Sequence, residues 1–218
     1  GATKDPGPDM WLAPAEHGSE RWLVSGRTDL GSEPPDIASL ALGDLSRARA
    51  CWVDAGTIAM TMEVIPMSKP RLHSSPDASF TLTAEGVTSG EELVLDYDPD
   101  GLPDAVKAKF PHLKGYSAFK LAEADLGRVP ALLKGQLAVS VTGADGRLRD
   151  ATGVQIPGVL DDLFAYDGPL GVTWNGGVPT VTVWAPTARV VTLYLFDGPG
   201  DPEHSSVVPM PATRAVWS

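Results

Sequence analysis

Turn-forming residues constrain this chain more than any other feature, since 23 glycines and 20 prolines fall among its 218 residues. They make up roughly a fifth of the sequence, against about 12% in an average protein. Proline interrupts helices and central strands, and glycine favours tight turns. The sequence therefore predicts many turns and few long helices.

The segments between these turns have the composition of strands. They are short, rich in Val, Thr and aromatic residues, and bounded by Gly, Pro or Asp. The predicted strands are 21–24, 48–53, 57–64, 79–83, 91–97, 117–121, 136–142, 180–185 and 189–196. Short strands at this spacing are typical of antiparallel sandwiches. We therefore predict a mainly β fold of antiparallel immunoglobulin-like β-sandwiches with a few short helices.

Local patterns also predict connections. Alternation in 180–184 and 191–196, with a short link at 186–188, predicts a hairpin whose two strands are neighbours in one sheet. A Gly-Ala-Asp-Gly turn is predicted at 143–146. Short connecting helices are predicted at 104–110, 129–134 and 159–166, each bounded by Pro or Gly.

Charge and composition exclude several functions. The 17 basic and 28 acidic residues give a formal net charge of −11, which disfavours nucleic acid as a partner. No apolar run approaches the ~18–20 residues of a membrane span, so no membrane partner is predicted. The single cysteine, Cys51, excludes a disulfide within the chain and is expected to pack as a small buried hydrophobe.

Catalytic and metal-binding patterns are missing. His17, His73, His112 and His204 lie far apart in the sequence, and each is expected at the surface or in a turn. The carboxylates of 96–101 resemble the start of a calcium loop, but position twelve would be Lys107, so an ordinary turn is favoured. Asp161 and Asp162 are adjacent on a predicted helix and do not face one point, which favours a solvated or helix-stabilising role. We predict no catalytic residue, no metal and no cofactor.

The six tryptophans leave two interpretations open, because aromatic side chains stack on sugar rings but also fill sandwich cores. Strand residues flank Trp22, Trp52 and Trp184, which we expect in cores. Trp11 and Trp174 are expected to be exposed, since Trp174 lies in a Thr-Trp-Asn-Gly-Gly turn.

Several segments resemble pullulanases and plant limit dextrinases. They are Gly-Val-Leu-Asp-Asp-Leu-Phe-Ala-Tyr-Asp-Gly-Pro-Leu-Gly at 158–171, Thr-Val-Trp-Ala-Pro-Thr-Ala at 182–188, Leu-Tyr-Leu-Phe-Asp at 193–197, Lys-Phe-Pro-His-Leu at 109–113 and Tyr-Ser-Ala-Phe-Lys at 116–120. The resemblance implies three parts: the tail of a family forty-one starch-binding module (1–33), the second amino-terminal β-sandwich domain of pullulanases (36–166), and the first half of a family forty-eight carbohydrate-binding module (168–218).

The same resemblance implies a function. The parent would be a secreted bacterial enzyme that hydrolyses α-1,6 linkages of pullulan, starch or limit dextrin in a separate catalytic barrel. This chain would support that barrel and contact α-glucan through Lys4 and Asp9, which match a family forty-one motif. Trp174 is a third candidate contact because it is an exposed aromatic residue, although it matches no binding position of the family. The resemblance allows a calcium site in the parent enzyme, but no residue pattern in this chain supports one. The rival interpretation is a β-sandwich protein-interaction or adhesion module with no carbohydrate role.

Overall fold

The computed structural model describes residues 43–61, 67–213 and 215–218, and these described residues belong to one compact unit. The described strands are β1 (Asp44–Asp54), β2 (Thr57–Met60), β3 (Lys69–Ser75), β4 (Thr81–Thr83), β5 (Gly86–Thr88), β6 (Glu91–Asp98), β7 (Ser117–Leu121), β8 (Gln136–Thr142), β9 (Leu148–Gln155), β10 (Gly171–Asn175), β11 (Val178–Trp184), β12 (Thr192–Leu195), β13 (Ser206–Pro209), β14 (Ala212–Thr213) and β15 (Val216–Trp217). The described helices are α1 (Asp104–Lys109), α2 (Val129–Leu132) and α3 (Pro157–Phe164), with 3₁₀ turns at Pro111–Leu113 and Glu123–Arg128. The predicted mainly β class with short helices is confirmed, and predicted strand 21–24 lies outside the described residues.

Seven strands close into a barrel in the order β1-β2-β7-β6-β3-β8-β9. Neighbours are antiparallel except β9 and β1, which pair in parallel and close the sheet with Ala50 opposite Val154. The sequence predicted two separate sheets here. Two strands that it did not predict account for the difference, because β3 joins β6 to β8 and β9 joins β8 to β1.

Side chains at alternate positions of β1 pack into two different hydrophobic clusters, one on each face of the strand. Trp52 points into the main core with Ile58, Phe119 and Val139, and α3 adds Val159. Cys51 belongs to a second cluster with Leu102 and others, under α1 and the 3₁₀ turn that follows it. Trp52 and Cys51 are therefore both buried, as the sequence predicted, and burial raises the pKa of the Cys51 thiol.

The strands after the barrel form two further sheets. One has the order β10-β11-β15-β14, and the other pairs β12 with β13. The predicted hairpin between 180–184 and 191–196 is therefore wrong, because β11 pairs with β10 and β15 while β12 pairs with β13. Alternation identifies the two faces of a strand but does not identify the neighbouring strand.

Other local predictions are confirmed. The turn at 143–146 joins β8 to β9, where the Gly143 amide donates to the Arg147 carbonyl at 2.8 Å and Gly146 has a φ of 77°. The helices α1 and α3 lie at the predicted positions within two residues. No helix among the described residues combines the length and apolarity that crossing a membrane requires.

Candidate functional site

The predicted binding residues fall in different parts of the chain. Lys4 and Asp9 lie outside the described residues. Trp174 lies near the end of β10, where its side chain is 69% exposed, as predicted. The turn comes just after it, at Gly176 and Gly177, which have φ of 56° and 82°. Two successive residues with positive φ make a tight hairpin turn, so Trp174 is held at the tip of a regular hairpin.

Strand register places Trp174 on an apolar sheet face. Val172 lies opposite Val181, and Trp174 lies opposite Pro179. Directly opposed residues share a face, so Val172, Trp174, Pro179, Val181 and Val183 form one surface, here called the Trp174 face. The reverse side carries Thr173, Asn175, Val178, Thr180, Thr182 and Trp184.

The Trp174 face is exposed although it is apolar. Val172, Val183 and Trp174 are all exposed, whereas Thr182 on the reverse side is buried. A contiguous exposed apolar surface marks a place where a ligand or another part of a protein binds. This surface is the strongest candidate for a functional site among the described residues.

Trp184 has a structural role on the reverse side of the same sheet. Its indole Nε1 donates a hydrogen bond to the backbone carbonyl of Phe164 at 2.8 Å. Trp217, which is buried, donates likewise to the carbonyl of Ala185 at 3.1 Å. The prediction that Trp184 packs rather than presents an open platform agrees with this half-buried position, and Trp11 and Trp22 lie outside the described residues.

A cavity of about 370 Å³ lies where the end of α3 meets β14 and β15. Phe164 and Tyr166 line it on one side and Val216 on the other. No Asp or Glu is among the described residues that line it, so the cavity offers no pair of acidic side chains for hydrolysis.

The carboxylates that the sequence singled out have structural partners. Asp161 forms an ion pair with Lys109 at 3.2 Å, and Asp162 accepts a hydrogen bond from the Ala55 amide at 2.9 Å. Asp98 accepts from the Asp100 amide at 3.0 Å in a plain turn. The described part of the chain holds no group of three or more potential metal ligands.

His73 contradicts its predicted surface position, since it is only 3% exposed. It lies on β3 beneath Phe80, whose ring is 6.2 Å away edge-on, and its Nε2 is 2.7 Å from the Ser140 hydroxyl. Desolvation lowers the pKa of His73 to about 4, against a smaller opposing effect of Glu92. The polar sequence of β3 gave no sign that the segment 76–90 covers its outer side.

Comparison with known proteins places this arrangement in a family. A model of the Pullulanase N2 domain matches residues 47–162, which include the barrel strands from the middle of β1 onward. The chain is 37% identical to pullulanase 1 of Arabidopsis thaliana, a chloroplastic protein, over 89% of this chain and 20% of the plant protein. It is 30% identical to the pullulanase of Klebsiella pneumoniae over 90% of this chain and 18% of that protein.

A solved structure gives the same result. The Klebsiella pneumoniae pullulanase complexed with maltotriose matches with a TM-score of 0.71 and 28% identity, over 97% of this chain and 20% of that one. The chain thus spans about a fifth of the length of these relatives. Since the matching model covers more than half of the residues, the chain belongs to the Pullulanase N2 domain family.

Proposed function

We propose that this chain is the non-catalytic amino-terminal part of a pullulanase-type enzyme, and that it supports the catalytic barrel of that enzyme and contacts α-glucan. The exposed Trp174 face carries the proposal, because an open tryptophan on an exposed sheet face is suited to stacking on a sugar ring. The family supports the enzyme class, since both curated relatives are pullulanases.

The proposed domain layout has three parts. Residues 1–33 would end a family forty-one starch-binding module, residues 36–166 would be the N2 domain, and residues 168–218 would be the first half of a family forty-eight module. The match at 47–162 supports the middle part. The short strands that follow the barrel as two further sheets support the last part, since the proposed module is itself a β-sandwich.

An immunoglobulin-like description of the N2 domain also belongs to the proposal. The first and last strands of the barrel, β1 and β9, pair in parallel, whereas every other pair in the barrel is antiparallel. The β1–β9 register shifts twice, between Asp44 and Ala50. Such irregular pairing is where a closed sheet would separate into the two layers of a sandwich.

The proposed reaction of the parent is hydrolysis of α-1,6 links in pullulan, starch or limit dextrin. This chain is expected to hydrolyse none of them, because its singled-out carboxylates are engaged in structural contacts. A secreted bacterial parent is proposed from the resemblance of residues 4–26 to family forty-one modules.

Affinity electrophoresis in gels containing pullulan or amylopectin tests the glucan contact. The chain is expected to migrate more slowly in these gels than in plain gels, and Trp174→Ala and Lys4→Ala should weaken the retardation. Trp174→Tyr, which keeps an aromatic ring, and Val178→Ala, which lies on the reverse side of the hairpin, are the matched controls.

The result also separates the rival function. A chain that migrates unretarded in both gels would have no glucan contact, and the exposed face would then suit a protein-interaction or adhesion module. The proposed support of a catalytic barrel is tested separately by sequencing the full reading frame. The proposal requires that this reading frame also encodes such a barrel.

A further inference from the structure

Asn175 is the single asparagine of the chain, and two glycines follow it directly. It ends β10 at the tip of the β10–β11 hairpin, where it lies opposite Val178. Asn175, Gly176 and Gly177 are all exposed. The side-chain amide of Asn175 and the backbone nitrogen of Gly176 are therefore neighbours in a part of the fold that is open to water.

Both of these groups are free to react. The side-chain amide of Asn175 and the N–H of Gly176 have no hydrogen-bond partner among the described residues. A Cβ added at Gly176 or Gly177 would meet no atom within 4 Å. No neighbouring atom therefore prevents the backbone from bending so that the Gly176 nitrogen approaches the Asn175 Cγ.

The end of this hairpin opens at little cost. Val178 is 65% exposed and Trp174 is 69% exposed, so separating the last pair of residues uncovers little apolar surface. Glycine adopts many backbone conformations, and loop tips open locally with free energies close to zero. Asn175 can therefore leave its strand conformation while the rest of the chain stays folded.

We propose that Asn175 is a site of spontaneous deamidation. The Gly176 nitrogen gives up its proton and forms a bond to the Asn175 Cγ, which closes a five-membered succinimide ring. The bond from Cγ to the side-chain nitrogen breaks, and this nitrogen leaves with the proton as ammonia. Water then opens the ring at one of its two carbonyl carbons. One opening gives aspartate, and the other gives isoaspartate, in which the backbone runs through the former side chain.

The modification changes the hairpin that presents Trp174. Both products carry a new carboxylate, which makes the formal net charge one unit more negative than −11. Isoaspartate also lengthens the backbone by one atom beside Trp174. Because a tight turn sets the register of its two strands, the added atom disturbs the pairing of Trp174 with Pro179. This effect is independent of whether the Trp174 face binds a glucan.

Incubation of the full chain at pH 8.5, followed over days by mass spectrometry, tests the proposal. The chain is expected to gain once the mass difference between a hydroxyl and an amino group, and peptide fragmentation should locate the gain at Asn175. Chromatography should separate two product peptides of equal mass. Asn175→Gln should keep its mass, because the longer side chain would have to close a six-membered ring. Gln136 and Gln155 remain in both proteins and serve as internal controls.

The two glycines offer a matched pair of variants. Gly176→Ala should slow the reaction several-fold, because the added methyl crowds the attacking nitrogen. Gly177 also has a positive φ and open surroundings, but its nitrogen does not attack. Gly177→Ala should therefore not slow the reaction. Equal slowing in both variants would overturn the proposal, since the glycines would then act only through backbone strain.

The same incubation in guanidinium chloride gives the rate in the unfolded chain. The folded chain is expected to react within about tenfold of this rate, because opening the hairpin tip costs little free energy. A greater slowing in the folded chain, or no gain of mass at Asn175, would overturn the proposal.

Discussion

The indole Nε1 of Trp184 donates a 2.8 Å hydrogen bond to the backbone carbonyl of Phe164. Trp184 ends β11, and Phe164 ends α3, which packs on β1 of the barrel. The last carbonyls of a helix have no partner within the helix. Trp184 therefore satisfies one of these carbonyls and at the same time ties the second sheet to the barrel.

Replacing Trp184 with Phe tests this tie. The ring would keep much of its packing, but the Phe164 carbonyl would lose its partner. We expect the free energy of unfolding to fall by about 1 kcal/mol, measured by urea denaturation. The matched control is Trp174→Phe, where the same change at an exposed ring should have little effect. Equal stability losses in the two variants would contradict the tie.

Arg189 makes a second tie between the same parts. Its Nη2 donates to the carbonyl of Lys134 at 3.1 Å and also to that of Pro76, which follows β3. Both hydrogen bonds come from the same guanidinium nitrogen, which lies farther along the side chain than a lysine ammonium would reach. Arg189→Lys should therefore loosen the connection, seen as faster proteolysis within residues 165–170. The control is Arg147→Lys in the distant β8–β9 turn, which should leave the cleavage rate unchanged. If Arg189→Lys also leaves the rate unchanged, Arg189 does not hold the later strands against the barrel.

Strand prediction succeeded where alternation is strong and failed where burial comes from elsewhere in the chain. Val alternates with Ser or Thr in β8 and with Thr in β11, and both strands were predicted. The sequence of β3 is Lys-Pro-Arg-Leu-His-Ser-Ser, which has no such pattern. Its Leu72 faces the barrel core while His73 on the opposite side is covered by Phe80. A segment buried on both sides by later parts of the chain cannot be identified from its own residues.

The candidate sites were predictable to different degrees. The Asn-Gly-Gly sequence after Trp174 identifies a turn, and this was enough to predict that Trp174 is exposed. Its apolar surroundings depend on which residues of β10 and β11 lie opposite each other. The edge-on contacts of His204 with the rings of Tyr194 and Phe196 were not predicted, because His204 reaches these rings only when the loop 197–205 folds back onto Leu195.

The stability of the chain should fall in acid because of His73. This imidazole is neutral in the folded state with a pKa of about 4, and its ordinary value is 6.5. Below pH 6.5 the unfolded chain binds a proton that the folded chain does not. The resulting loss grows as the pH falls to about 4 and then levels off, reaching about 3 kcal/mol for a shift of this size.

Urea denaturation between pH 7.5 and 4 in His73→Gln would isolate this contribution. Glu92 and Arg71 face His73 from β6 and β3 and remain in the variant, so their effects cancel in the comparison. The variant is expected to lose less stability on acidification than the unmodified chain. The exposed His112→Gln is the control and should keep the full pH dependence. If the free energy of unfolding of His73→Gln falls with pH as steeply as that of the unmodified chain, His73 is not the cause of the loss in acid.

The contact between α3 and β1 depends on Gly158. A methyl group at this position would lie 2.7 Å from the Val53 Cα and 2.9 Å from the Trp52 carbonyl oxygen, both of which are backbone atoms. Gly158→Ala should therefore push α3 away from the barrel and destabilise the chain by about 1–3 kcal/mol, even though alanine favours the helix by about 1 kcal/mol. In the matched control, Gly127→Ala, the added methyl meets no atom within 4 Å. Thermal unfolding should show a lower midpoint for Gly158→Ala and an unchanged one for Gly127→Ala. If Gly158→Ala has an unchanged or higher midpoint, α3 does not pack on β1 as closely as these distances require.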